Sequence, residues 1–290
     1  MSLAGLIHAA LPLSIALIVF SLGLRCVGDE AIFLFRERGL LVRSILAMNV
    51  VQPIVTILLV WIAHVHPAVE TALVAAAVSP VPPLLPRKQL KLVSQETYVY
   101  GLLVAASVLA IVFVPVTIAL LSALSRREVN IAPATVTRIV SISVLAPLAV
   151  GMLTRRTWPA LAAKVGAAAN AVGTGLLVVA VLVALIALWP LISSLIGNGT
   201  LLLCAVFAGI GLFVGHVLGG PNGDDRTVLA LATATRHPGV AFAIGAAAFP
   251  DQKLEAAAVV LYLLTSLVVC LPYVAWRKRW HERSTAGTTV

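Results

Sequence analysis

Between residues 226 and 249 the chain reads RTVLALATATRHPGVAFAIGAAAF, an apolar run with Arg236, His237, Pro238 and Gly239 at its middle. Arg236 lies ten residues past Arg226, roughly 15 Å along a helix, or half the thickness of a bilayer core. An Arg at that depth costs roughly 2.5–3.5 kcal/mol on insertion scales, so such charges face a protein interior or a watery cavity and mark function. Pro238 removes a backbone donor and disfavours helical geometry at His237, and Gly239 adds backbone freedom. The spacing predicts two half-helices that meet at mid-depth, with freed backbone groups in a protected space. Arg236 offers a planar fork for a carboxylate. His237 is a residue type whose ordinary titration lies near neutral pH, and Thr233 and Thr235 put hydroxyls on the preceding turn. The bland alternative is a kinked packing helix whose Arg snorkels to an interface.

A second stretch, VAAAVSPVPPLLPRKQLKLVSQETY, carries Pro80, Pro82, Pro83 and Pro86 within seven residues. No continuous helix survives that, so Ser79, Pro82 and Pro83 are predicted to form a matching break. Arg87, Lys88 and Lys91 read as a basic loop end, with Gln89 among them. Glu96 either complements the dipole of the next helix or reaches Arg236 as its counter-charge. Tyr98 and Ser107 are candidates for a cavity wall, although a Ser in such a helix often bonds its own backbone. Asn49, Gln52 and Pro53 either line a cavity or bond a neighbouring helix.

These stretches need a membrane-embedded scaffold, and the composition demands one. The 290 residues are 61% hydrophobic and 11% charged, against about 25% charged in soluble domains; mean hydropathy is +1.07. Hydropathy predicts nine spans, at about 5–24, 40–63, 68–95, 97–124, 132–153, 166–190, 199–219, 226–249 and 253–276. The net charge of +9 then reports topology, not nucleic-acid binding. Fifteen Lys and Arg fall on one side and four on the other, with Arg236 left inside a span. That bias puts the N-terminus outside and the C-terminus in the cytoplasm of a plasma or inner membrane. Residues 25–43 read as an interfacial linker. Cys26, Cys204 and Cys270 lie singly among apolar residues and read as packing, with no metal spacing. The motif NAVGTG at 170–175 and Gly209, Gly211 and Gly215 read as helix-packing surfaces. His216 reads as a satisfied polar residue, and WRKRWHERSTAGTTV as an interfacial anchor with a short disordered end.

The breaks fall in the third and eighth spans, five apart, so the two helices run in opposite directions. Broken segments at matching positions of two halves are the sequence mark of an inverted-repeat transporter with a midplane site. The chain is expected to be one domain, 1–290, with halves at about 1–124 and 131–280.

These residues resemble the bile acid:sodium symporter family. The resemblance rests on the order of a first span with SLGL, a mixed-charge linker, a span with Gln and Pro, and a span ending in a small-residue proline break, over 11–95; and on LALATATRHPGVAFAIGAAAF. It implies a core bundle with crossed broken helices, a flanking panel, and transport of organic anions by alternating access, usually with sodium. The pattern departs from the family's at its ion site: Ala232 stands where the family has an acid, Arg236 where it has glutamine, and His237 where asparagine is usual. The third span has Pro82 and Pro83 in place of Gly-Gly and Ser-Asn. Sodium wants several oxygen ligands and tolerates no cation among them. The reading that follows is that Arg236 replaces the ion, either holding the crossing point or binding the substrate's anionic group. No cofactor is expected.

No HExxH, GxSxG or paired intramembrane carboxylates occur, so an enzyme is not expected. The expectation is a transporter of small organic anions in the lipid bilayer. The alternative is a membrane sensor that kept the fold and lost transport.

Overall fold

The structure is a computed structural model, which describes residues 3–26, 28–63, 65–79, 81, 97–124, 134, 138, 141–237, 239–242, 244 and 252–286. Among these residues every regular element is helical. The helices are α1 (Leu3–Gly23), α2 (Gly28–Arg36), α3 (Arg38–Ile45), α4 (Gln52–Ala63), α5 (Pro67–Val78), α6 (Thr97–Leu124), α7 (Ala146–Thr157), α8 (Pro159–Leu195), α9 (Thr200–Leu218), α10 (Gly223–Ala234) and α11 (Gln252–Ala286). π-helical turns at Leu46–Val51 and Ser141–Leu145 lead into α4 and α7. Arg126, Arg127 and most of the expected fifth span before residue 141 lie outside the described residues.

Among the described residues five stretches are long and apolar enough to cross a membrane: Arg38–Ala63, Thr97–Thr117, Pro159–Leu195, Thr200–Leu218 and Lys253–Glu282. Two shorter apolar helices, Pro12–Gly23 and Pro67–Val78, accompany them. The chain is a multi-pass α-helical membrane protein. Its outer surface fits that solvent: Trp61, Ile186 and Phe213 are each at least 70% exposed, as side chains facing lipid would be.

Residues 25–43 are more ordered than a linker. α2 has Asp29 and Glu30 in its first turn and Arg36 in its last, the arrangement that the helix dipole favours. It buries Ala31 and Leu34 against α6, where Gly101 lets the two backbones close. α3 then runs without interruption into the π turn and α4. Dense charge masked these helices, because charge suits their outer faces as well as it suits a loop.

Small residues set the close contacts. A Cβ on Gly23 would lie 3.0 Å from the Cα of Gly151, which fixes the crossing of α1 and α7. Gly173 of the NAVGTG motif presses on Ser14, Leu17 and Ile18, joining α8 to α1. Gly211 and Gly215 lie directly on the α10 backbone, whereas Gly209 meets nothing within 4 Å. α9 and α10 are thus packed backbone to backbone. α9 is entered through Gly197, Asn198 and Gly199, all at positive φ.

Beyond α10, His216 bonds the Tyr273 hydroxyl at 2.8 Å and meets the Trp276 ring, so it is satisfied as read. Arg277, read as part of an interfacial anchor, is instead buried. It donates to Gly223 O and Thr227 Oγ1, each at 2.7 Å, and lies over the Trp280 ring. The tail stays helical to Ala286. All three cysteines are buried and none is in a disulfide, and burial, then the neighbouring Glu30, pushes the Cys26 thiol up to about 12.

Candidate functional site

Three backbone carbonyls decide the geometry of the site, two opened by the end of a helix and one by a proline. In an α-helix a carbonyl accepts from the amide four residues on. Ser79, the C-cap of α5, and Thr235, the C-cap of α10, are extended, so the carbonyls of Ser79 and Ala234 have no such helical partner. Met48 reaches the same condition through the π turn. There the Gln52 N–H bonds Ala47 O, and the residue five beyond Met48 is Pro53.

Two of the three carbonyls are taken by one side chain. Arg236 donates through Nη2 to Met48 O at 2.5 Å and through Nη1 to Ser79 O at 3.3 Å. It is 1% exposed, and no carboxylate lies in salt-bridge reach among the described residues. Ser79 caps the C-terminus of α5, so the guanidinium sits at the negative end of that helix, where a cation is favoured. The third carbonyl, Ala234 O, accepts from the Tyr262 hydroxyl of α11 at 3.2 Å. Tyr262 stacks edge-on against Phe207 of α9, whose carbonyl accepts from Gln52 Nε2 at 3.1 Å. The C-terminal ends of α5 and α10 therefore meet at Arg236, tied to the π turn and to α11.

His237 restarts the helix. Its Nδ1 accepts from the Val240 N–H at 3.2 Å and its carbonyl from the Ala241 N–H at 3.0 Å, which makes it the cap of the segment at 239–242. An accepting Nδ1 puts the proton of a neutral ring on Nε2. Gly239 lies against the end of the Ile15 side chain of α1, which a Cβ there would push aside.

The other expected residues fall differently. Thr233 and Thr235 donate to Leu229 O and Leu231 O of their own helix, at 2.7 and 2.6 Å. Ser107 is buried and donates to Leu103 O at 2.7 Å, and Ser79 Oγ donates to Ala76 O. Tyr98 is buried and bonds Ser44 at 2.9 Å. Pro82, Pro83, Gln89 and Glu96 lie outside the described residues; among the described ones Arg236 has carbonyl partners. Met48 and Tyr262 were not singled out in the sequence; counting four or five residues back from each proline would have found Met48, but an apolar span hides Tyr262. Glu255 was also missed. It is fully buried, and neither carboxylate oxygen has a hydrogen-bond partner.

Residues 12–203, roughly two thirds of the chain, match the sodium bile acid symporter family. The chain belongs to this family. The match includes the π turn, Gln52 and the α5 break at Ser79, and it ends within α9, before Arg236. The family resemblance is thus strongest over the helices that supply the carbonyls, while the cation that joins them lies beyond the matched stretch. Comparison with curated proteins gives no significant match.

Proposed function

We propose that this chain is a secondary transporter of small organic anions, working by alternating access, in which the Arg236 guanidinium takes the place of the family's coupling ion. The observation that carries this is the pair of bonds from Arg236 to Met48 O and Ser79 O. Carbonyls at helix ends and helix breaks are what a bound sodium would use as ligands, and a fixed guanidinium satisfies them without an ion. Because both Nη groups are engaged at buried carbonyls, Arg236 holds the crossing point, and the substrate's anionic group binds elsewhere in the core. The remaining parts of the reading follow the family: nine spans in one domain, an inverted repeat whose crossed members are broken after Ser79 and Ala234, a core and a panel, the N-terminus outside and the C-terminus cytoplasmic.

The test is uptake of radiolabelled taurocholate and succinate into proteoliposomes, with and without a sodium gradient, for the native protein and Arg236→Gln. Sodium-independent native uptake that the substitution abolishes is the expected result. Sodium-dependent native uptake would overturn the ion replacement, and no uptake of either would favour a sensor.

A further inference from the structure

Glu255 is the buried ionisable group that the crossing leaves unused. It lies in the first turn of α11 with 0% exposure and with both carboxylate oxygens unpartnered. Its face of the helix is defined by Tyr262, seven residues on, and Ser266, eleven on, both buried. Residues at that spacing share one side of a helix, so Glu255 faces the protein about 10 Å along the helix from Tyr262 and the crossing.

Among the described residues its surroundings offer no counter-charge. α11 packs against α5, α8, α9 and α10. On α5, Glu70 is already engaged, as is Lys253 on α11 itself. α9 carries Cys204 and His216, and His216 belongs with Tyr273 near the other end. Lys164 lies at the far end of α8 from the loop into α9, and Asp224, Asp225 and Arg226 lie with the Arg277 end of α11. The Tyr262 hydroxyl donates its hydrogen bond to Ala234 O. An ionised carboxylate in such a place is too costly to persist, and the group neutralises instead. A metal or sodium ion needs several oxygens. The neighbouring positions are Ala256, Ala257, Ala258 and Val259 on α11, all buried, and no metal-holding cluster occurs among the described residues. A proton needs one oxygen.

We propose that Glu255 carries a proton in the membrane-embedded core and is the group at which this carrier takes up and releases protons during transport. The coupling half rests on the transporter reading above; the bound proton does not. In the cycle, the proton joins a carboxylate oxygen from the aqueous side to which the core is open and leaves to water on the other side, with no other bond changed.

Two measurements test it. Infrared spectra of lipid-reconstituted protein at neutral pH are expected to show the C=O stretch of a protonated carboxylic acid that Glu255→Gln removes and Glu255→Asp keeps. The absence of that band from the native protein, or its persistence in Glu255→Gln, overturns the proposal. Glu255→Gln should fold, because a neutral amide replaces a neutral acid of the same shape; if it does not, Glu255→Asp and the native spectrum still decide. In the second measurement, taurocholate or succinate is added outside proteoliposomes that hold a pH-sensitive dye. Native protein is expected to acidify the lumen, and Glu255→Gln to lose that signal entirely while still exchanging labelled for unlabelled substrate. Acidification unchanged in Glu255→Gln, or native uptake with no proton movement, overturns the coupling. If neither probe is carried, it is the transporter reading that fails, and the infrared band alone decides the bound proton.

Discussion

Replacing Arg236 by Leu keeps much of the side-chain volume and removes every donor. The structure assigns two losses, Met48 O and Ser79 O. Neither has a helical amide to fall back on, Met48 O because of Pro53 and Ser79 O because the chain turns extended at Ser79. An orphaned buried acceptor costs about 1–3 kcal/mol, so the gross loss is about 2–6 kcal/mol. Hydrogen bonds between membrane helices average nearer 0.6 kcal/mol, which sets a floor of about 1 kcal/mol for the pair. Removing the charge also recovers its desolvation cost, including that of Nε, which has no partner. The net expectation is a destabilisation of about 1–4 kcal/mol, measured by SDS-titrated unfolding in bicelles. The same reasoning predicts a coupling. Pro53→Ala restores an N–H five residues beyond Met48, so in that background Arg236→Leu should cost about 1 kcal/mol less, as a double-mutant cycle would read it. Arg236→Leu as stable as native, or a cost that Pro53→Ala leaves unchanged, would refute the claim that the guanidinium closes carbonyls left without a helical amide.

Three further outcomes follow. Tyr262→Phe removes the donor to Ala234 O and should cost about 0.5–1.5 kcal/mol in the same unfolding measurement. Gly215→Ala puts a methyl 2.4 Å from Leu229 O and 2.5 Å from the Ala230 Cα, so it should destabilise by about 1–3 kcal/mol, while Gly209→Ala, with open space around it, should change thermal stability little. Asp225, in the first turn of α10, has its carboxyl pushed up to about 6 by burial, then by Asp224 and Glu37. The folded protein therefore holds this proton more tightly than the unfolded chain. Its contribution makes the protein most stable on the acid side and less stable as pH rises from about 4 to about 6. Thermal unfolding across that window should show the slope, and Asp225→Asn should remove it.

Much of the site was legible because proline and charge are exceptions in an apolar chain. Arg236 stood out for its depth, and the breaks after Ser79 and Ala234 for their prolines; the structure brings these together. What the sequence concealed follows from the same physics. The Met48 carbonyl is freed by a π turn, which changes the hydrogen-bond register without any unusual residue to announce it. Tyr262 and Glu255 are single polar groups on a helix whose lipid-facing side dominates its average. The helices at 28–45 read as linker because their outer faces carry charge, and Arg277 read as an anchor because a basic cluster near a helix end usually is one.

The backbone contact between α9 and α10 has a mechanical consequence. With Gly211 and Gly215 seated directly on α10, there is no compliant layer of side chains to let one slide past the other. The two form a single stave, and in the alternating-access cycle proposed above any movement of α10 carries α9 with it. On that reading the motion is taken up where the stave joins α8, at the three consecutive positive-φ residues Gly197, Asn198 and Gly199, and the stiffness of that loop would set the pace of the change between sides.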